Sequence, residues 1–222
     1  MKNNLVVIGD IHGCVKSLKA LWERLEPWSD LTHVFVGDYI DRGPDSKGVV
    51  DFLLSVRNKR ECIFLRGNHE QMLLDAYERG DAYNWMMNGG ESTLKSYGSD
   101  IRVTELPEDH INFYLDTKMY YQTDNYFVVH AGAPPHQTIQ ESIDDESSEQ
   151  FFLWGREHLN VYQTPWEKTV VFGHTPRPSP VQRDKMIGID TGCVYNRMGY
   201  GKLTAVILPE TEFIQQKSLD KI

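Results

Sequence analysis

The sequence predicts an α/β fold built on parallel strands, and two observations carry that reading. Three apolar runs, Leu5–Ile8, His33–Val36 and Cys62–Leu65, are each followed by a polar loop and then by a stretch of helical periodicity. Successive β-loop-α units of this kind run their strands in parallel, so the loops gather at one sheet edge. Those loops also carry Asp10 and His12, Asp38, and Asn68 and His69, which makes that edge the candidate site.

Each element follows from its own pattern. Leu5-Val6-Val7-Ile8 is a continuous apolar run, the mark of a strand buried on both faces. Leu18, Leu21, Trp22 and Leu25 fall at helical spacing over 15–25, and Val49, Leu53 and Val56 do the same in a helix starting near Ser46. After the third strand comes Arg66-Gly67-Asn68-His69 and a helix over 70–78. Short helices over 81–88, 91–97 and 108–115 predict a helical, cap-like segment around 78–116, with Trp85, Met86 and Met87 read as helix core. Beyond Pro107 the chain turns to strands: a hairpin of 119–123 and 126–129 across Asp124-Asn125, then 169–172, 186–189 and 203–208. The acidic stretch 140–149 reads as a mobile surface loop.

A chain of 222 residues is long enough for a well-buried core, and without repeats or a Gly/Ser linker it reads as one domain, 1–222. A formal charge of -9 argues against a nucleic-acid backbone as partner. No apolar stretch is long enough to cross a bilayer, and the run after Asn4 is too short for a signal-peptide core, so a cytoplasmic location is expected. Cys14, Cys62 and Cys193 are odd in number and widely spaced, which indicates neither a disulfide framework nor a thiolate metal site.

Five loops that follow apolar strands carry metal-ligand types: Asp10-x-His12, Asp38, Asn68-His69, His130-Ala131-Gly132 and Gly173-His174-Thr175. One Asp or His after a strand is usually a satisfied loop residue; five together are not coincidence. Imidazole with carboxylate and amide oxygens suits manganese, iron or zinc, and the number of donors fits two ions rather than one. Arg42, in Gly37-Asp38-Tyr39-Ile40-Asp41-Arg42-Gly43-Pro44, is placed to hold a phosphate against them.

These segments, Gly9-Asp10-Ile11-His12-Gly13, Gly37 to Gly43, Gly67-Asn68-His69-Glu70, His130-Ala131-Gly132 and Gly173-His174-Thr175, resemble the signature motifs of the phosphoprotein phosphatases within the calcineurin-like metallophosphoesterases. The resemblance spans residues 9–175 in the family's order, and the short length is similar to bacterial and phage members. It implies a central β-sandwich of two mixed sheets flanked by helices, with a di-metal site at strand C-terminal ends. By the same resemblance Asp10, His12 and Asp38 hold one ion, and Asp38, Asn68, His130 and His174 the other, with Asp38 as the bridge. Manganese is the expected metal. Arg42 and Arg156 match phosphate-clamping arginines, His69 a general acid and Asp41 the carboxylate that orients it. Asp190-Thr191-Gly192-Cys193 reads as a structural turn.

The implied reaction is hydrolysis of a phosphate monoester by direct attack of activated water, without a phosphoenzyme. Phosphorylated proteins or peptides carrying phosphoserine or phosphothreonine are the expected substrates, and the oligomeric state is open. Symmetrical cleavage of dinucleoside polyphosphates, by enzymes similar in motif and metal set, is the alternative; those hydrolases tend to carry Ala where this chain has Asp41 and Asp where it has Glu70, so both positions lean towards protein phosphatase. Other small phosphoesters, including phosphotyrosine, stay open. A third reading is a non-catalytic interaction module, which a fully populated ligand set disfavours.

Overall fold

Alternation along the strands decides the layering in the computed structural model, which describes residues 4–98 and 100–221. Residues 1–3, 99 and 222, which the reading of one domain over 1–222 includes, lie outside these. In β1 (Leu5–Ile8) the side chains of Leu5 and Val7 enter one apolar cluster and those of Val6 and Ile8 another, on the opposite face. Both faces are therefore buried, which is why the run is continuously apolar.

The helical layer lies over Val6 and Ile8. It comprises α1 (Val15–Arg24), which returns the chain to β2 (Thr32–Phe35), α2 (Ser46–Val56), which returns it to β3 (Cys62–Phe64), and α3 (Asn68–Arg79). Asp45 caps α2 by accepting a hydrogen bond from the Gly48 amide at 2.7 Å, and Gly80, in the left-handed conformation, ends α3. The segment 78–116 carries α4 (Tyr83–Trp85), a π-helical turn over 86–90 kinked at Gly89, α5 (Glu91–Tyr97) and α6 (Glu108–Leu115). It packs on α2 and α3, with Trp85 buried and Met87 exposed.

The second half supplies β4 (Tyr120–Gln122), β5 (Tyr126–Val129), α7 (Ile139–Asp144), α8 (Ser148–Trp154), β6 (Thr169–Phe172), β7 (Val181–Arg183), β8 (Met186–Gly188), β9 (Lys202–Leu208) and β10 (Glu212–Lys217). Two five-stranded mixed sheets result, in the orders β10-β9-β1-β2-β3 and β4-β5-β6-β8-β7. Strands β1, β2 and β3 are parallel in the first, and β5, β6 and β8 in the second. Leu5, Val7, Val34 and Val206 of one sheet meet Val128, Val171 and Ile187 of the other, so the sheets stack as a sandwich. The architecture is the expected one.

Two expectations fail: Met86 and Met87, read with Trp85 as helix core, are exposed because the kink at Gly89 leaves only Trp85 turned inward, and the acidic stretch is not a loop. The stretch 140–149 is largely helical, because Thr138 and Glu141 form a capping box at the start of α7 and the Glu167 carboxylate accepts from the Ile139 and Gln140 amides. Ile139 and Ser142 are fully buried, and α8 then delivers Trp154-Gly155-Arg156 toward the site. Among the described residues, no helix is long and apolar enough to cross a membrane.

Candidate metal centre and phosphate site

Every parallel strand ends in a polar residue at the same end of the sandwich. Asp10 follows β1, Asp38 β2, Asn68 β3, His130 β5, His174 β6 and Asp190 β8. Backbone hydrogen bonds tie these exits together: the Ile11 and His12 amides donate to Asp38 O, and the Gly173 amide to His130 O. Gly37, at φ +106°, is needed where its loop meets Gly67, since a Cβ there would overlap the Gly67 amide nitrogen.

The backbone is strained where the chemistry-bearing residues sit. Among the described residues, seven non-glycine positions have positive φ, and five of them are His12, Asp38, Asp41, Arg42 and His174. Each costs on the order of 1–3 kcal/mol, a cost that persists at sites where side-chain placement matters.

The structure brings two groups of donors together, His12 with Asp38 and His69, and Asp38 with His130 and His174, all buried. Asp38 belongs to both. Its Oδ2 lies 3.5 Å from His12 Nε2, and its Oδ1 lies 3.4 Å from His130 Nε2. Asn68 Oδ1 is 2.9 Å from His174 Nδ1 and 3.0 Å from His130 Nε2. The Asp10 carboxylate lies beside this cluster and accepts from the His174 amide at 2.9 and 3.1 Å.

These residues fit divalent cations. The Nδ1 atoms of His12 and His130 face the carbonyls of Ile40 (2.8 Å) and Val36 (3.0 Å), which fixes the proton on Nδ1 and leaves the Nε2 lone pair toward the cluster. Burial lowers the pKa of His12 to about 3 and also lowers those of His130 and His174, so these imidazoles are neutral and able to ligate. His130 Nε2 and His174 Nδ1 sit 3.2 Å apart beside the Asn68 and Asp38 oxygens, an arrangement of acceptors that a cation satisfies. Burial, with Asp190 and Asp38 nearby, pushes the Asp10 carboxyl well above the usual range, a repulsion among acids that bound cations relieve.

His69 opens α3, and its Nδ1 is 2.6 Å from Asp41 Oδ2. Asp41 is fully buried and also accepts from Trp85 Nε1 (2.9 and 3.0 Å) and Thr93 Oγ1 (2.6 Å). Burial opposes charge on His69, yet Asp38 and the Asp41 hydrogen bond outweigh it and raise its pKa above the ordinary histidine value. Its Nε2 has no hydrogen-bond partner and lies 4.0 Å from Asp38 Oδ2. Arg42 donates to His12 Nε2 (2.9 Å) and to the Tyr195 hydroxyl (3.2 Å). Arg156 is exposed beyond α8, near enough to His130 and His174 to help keep both neutral.

Sequence patterns give no site role to three neighbours, Trp85, Thr93 and Tyr195, and mark Glu70 only as a position that separates protein from nucleotide hydrolases. Trp85 and Thr93 hold Asp41 from the 78–116 segment. Tyr195 meets Arg42. Glu70 accepts from the Asp38, Tyr39 and Gly67 amides at 2.8–2.9 Å, and it is fully buried, facing the loop rather than the site mouth. Asp190, read as a turn residue, does accept from the Gly192 amide at 2.8 Å, but its carboxylate is buried beside Asp10 and Asp38. A strand exit at Ile189-Asp190, matching the other five, is the signal that could have found it.

Known proteins resemble this chain over most of its length. A family model described as calcineurin-like phosphoesterase matches residues 4–200. An asymmetrical bis(5'-nucleosyl)-tetraphosphatase PrpE from Oceanobacillus iheyensis is 29% identical over 96% of this chain and 91% of its own length. Serine/threonine-protein phosphatase 1 from Salmonella typhimurium is 33% identical over 89% of this chain and 88% of its own. A crystal structure described as a candidate diadenosine tetraphosphatase superimposes with a TM-score of 0.69 at 24% identity, covering 99% of this chain and 95% of that one, and shows the same fold.

Proposed function

We propose that this chain, which belongs to the calcineurin-like phosphoesterase family and is thus a metal-dependent phosphoester hydrolase, acts on phosphate monoesters of serine and threonine in proteins or peptides. The carrying observation is the buried His69–Asp41 pair, 2.6 Å apart, which holds the ring with its Nε2 free of any hydrogen-bond partner and 4.0 Å from Asp38 Oδ2. An alkoxide is a strongly basic leaving group and needs a proton as it departs. A phosphate leaving group, as in dinucleotide cleavage, is far less basic and needs it less.

In this reading Asp10, His12 and Asp38 hold one divalent cation, and Asp38, Asn68, His130 and His174 hold a second, manganese being expected while iron or zinc suits the same donors. Bound there, the cations supply Lewis acidity that activates water and polarises the phosphoryl oxygens. His12 Nε2 serves either a cation or the Arg42 guanidinium, so with the ion in place Arg42 turns to the phosphoryl group. Arg42 and Arg156 then grip the equatorial oxygens through paired N–H donors. His69 keeps Nδ1–H on Asp41 and gives its Nε2 proton to the departing oxygen, a contribution of roughly 100- to 10,000-fold.

Dinucleotide cleavage is the second reading, favoured by relatives named as bis(5'-nucleosyl)-tetraphosphatases. Those relatives are named asymmetrical, whereas the alternative drawn from the sequence is symmetrical cleavage. The deciding experiment is hydrolysis by the manganese-loaded enzyme of a phosphothreonine peptide beside diadenosine tetraphosphate at matched concentrations. Preference for the peptide in kcat/KM is the expected result. Preference for the dinucleotide replaces this proposal with nucleotide turnover, and the products then report symmetrical or asymmetrical cleavage.

A further inference from the structure

A cleft of about 740 Å³ opens beside Arg42. Tyr195 is the shared wall: its hydroxyl accepts from Arg42 at 3.2 Å, while the residue also lines the cleft. The rest of the lining gathers Arg197, Lys202, Lys217 and Lys221 in a chain whose formal charge is -9. The single carboxylate there, Asp220, is engaged by the Lys16 and Ser17 amides and by Ser17 Oγ at 2.6–3.1 Å. Among the described residues, none of the four cations forms an ion pair.

The rings of the cleft serve to hold one of those cations. The Arg197 guanidinium lies 4.2 Å from the Tyr200 centroid and 5.9 Å from that of Tyr195, and the two rings meet edge to face at 6.3 Å. The ring faces are taken, so a flat ligand finds nothing to stack on. A stacked guanidinium keeps its N–H donors in its own plane, where they can make the paired hydrogen bonds that a carboxylate accepts. Lys202 Nζ donates to the Pro178 carbonyl at 2.7 Å, whereas Arg197, Lys217 and Lys221 are exposed. Separate cations, one of them a guanidinium already set in place, match separate carboxylates on a peptide.

We propose that this cleft selects substrates by the acidic side chains, Asp or Glu, that flank the phosphorylated residue. The inference rests on the phosphopeptide reading given above. With the phosphoryl group at Arg42, the adjoining residues pass Tyr195 and set their carboxylates among Arg197, Lys217 and Lys221. Exposed ion pairs are individually weak, so three acting together give a preference of roughly tenfold. These cations meet the substrate away from the reacting atoms, so their effect falls on KM rather than on kcat.

The test is hydrolysis by the manganese-loaded full chain of three phosphothreonine peptides that differ only in the residues on either side, Glu, Gln or Lys. The triple variant Arg197→Gln, Lys217→Glu, Lys221→Glu changes exposed side chains only, its unfolding midpoint checks that it is folded, and p-nitrophenyl phosphate reports the metal cluster alone. The expected result is a kcat/KM about tenfold higher for the Glu peptide than for the Gln peptide, carried by KM, lost in the variant and shrinking as salt is added. Turnover of p-nitrophenyl phosphate stays unchanged. Equal hydrolysis of the three peptides by the wild type, or the same preference in wild type and variant, overturns the subsite and leaves the phosphopeptide reading standing. A variant that loses as much on p-nitrophenyl phosphate as on the Glu peptide also overturns it, since the effect then lies at the metal cluster. If diadenosine tetraphosphate is cleaved and none of the peptides is, the phosphopeptide reading fails and this subsite with it.

Discussion

His69 Nδ1 and Asp41 Oδ2 lie 2.6 Å apart with both side chains almost wholly buried, and Trp85 and Thr93 close the far side of the carboxylate. Removing the charge at Asp41 leaves the shape and weakens the hold on the histidine proton. Asp41→Asn is expected to lower kcat on a phosphothreonine peptide by about 100-fold, while turnover of p-nitrophenyl phosphate, whose leaving group needs little protonation, falls far less. Equal losses on the two substrates would show that His69 is not the acid.

His69 also stands in one of the two donor groups, so its variant separates two roles. His69→Asn is expected to retain near-normal metal content with reduced turnover, because the lost proton donor is not a ligand. Asp38→Asn should deplete both ions together, since Oδ1 faces the His130 group and Oδ2 the His12 group. Metal analysis after dialysis reads both. Loss of an ion from the His69 variant, or one fully occupied site in the Asp38 variant, would reverse the respective assignment.

Glu70 looks from the sequence like a position that separates protein from nucleotide hydrolases, but the structure turns it inward onto three loop amides. Its substitution should therefore act on stability rather than on substrate choice. Glu70→Ala leaves three buried N–H donors unsatisfied and is expected to cost about 2–4 kcal/mol, with Glu70→Gln milder. Chemical denaturation measures the loss, and the peptide-to-dinucleotide ratio of kcat/KM should not move. A shift in that ratio at unchanged stability would restore Glu70 as a specificity residue.

The strand exits are legible in the sequence because a buried parallel strand is a continuous apolar run, and the residues after it must emerge at the shared edge. Asp10, Asp38, Asn68, His130 and His174 can be read this way, and the structure does bring them together. The contacts that hold them are not legible. Trp85 reaches Asp41 from 44 residues away, and Tyr195 reaches Arg42 from 153, contacts that only the folded chain defines. The left-handed backbone at His12, Asp38 and His174 is equally hidden, since those residue types do not demand it. β7 and β10 escape notice because they are half-exposed strands at sheet edges, poor in apolar alternation. The helices of 138–154 hide behind polar composition, although Thr138 and Glu141 spell their cap.

His158 tests how acid limits this fold. Its ring is fully buried against Phe172, at 4.6 Å, and neither ring nitrogen has a hydrogen-bond partner. Burial alone lowers its pKa from 6.5 to about 4. Between those values the unfolded chain binds a proton that the folded chain refuses, so stability rises with pH across that window and falls as pH drops from 6.5 toward 4. The loss from this one group is of order 3 kcal/mol by the lower limit. His158→Leu removes the titrating ring and leaves an apolar side chain in an apolar site. The difference in unfolding midpoint between pH 7.5 and pH 5 should be smaller in the variant than in the wild type, both with metal bound. Identical pH dependence in the two proteins would mean that another group sets the acid limit.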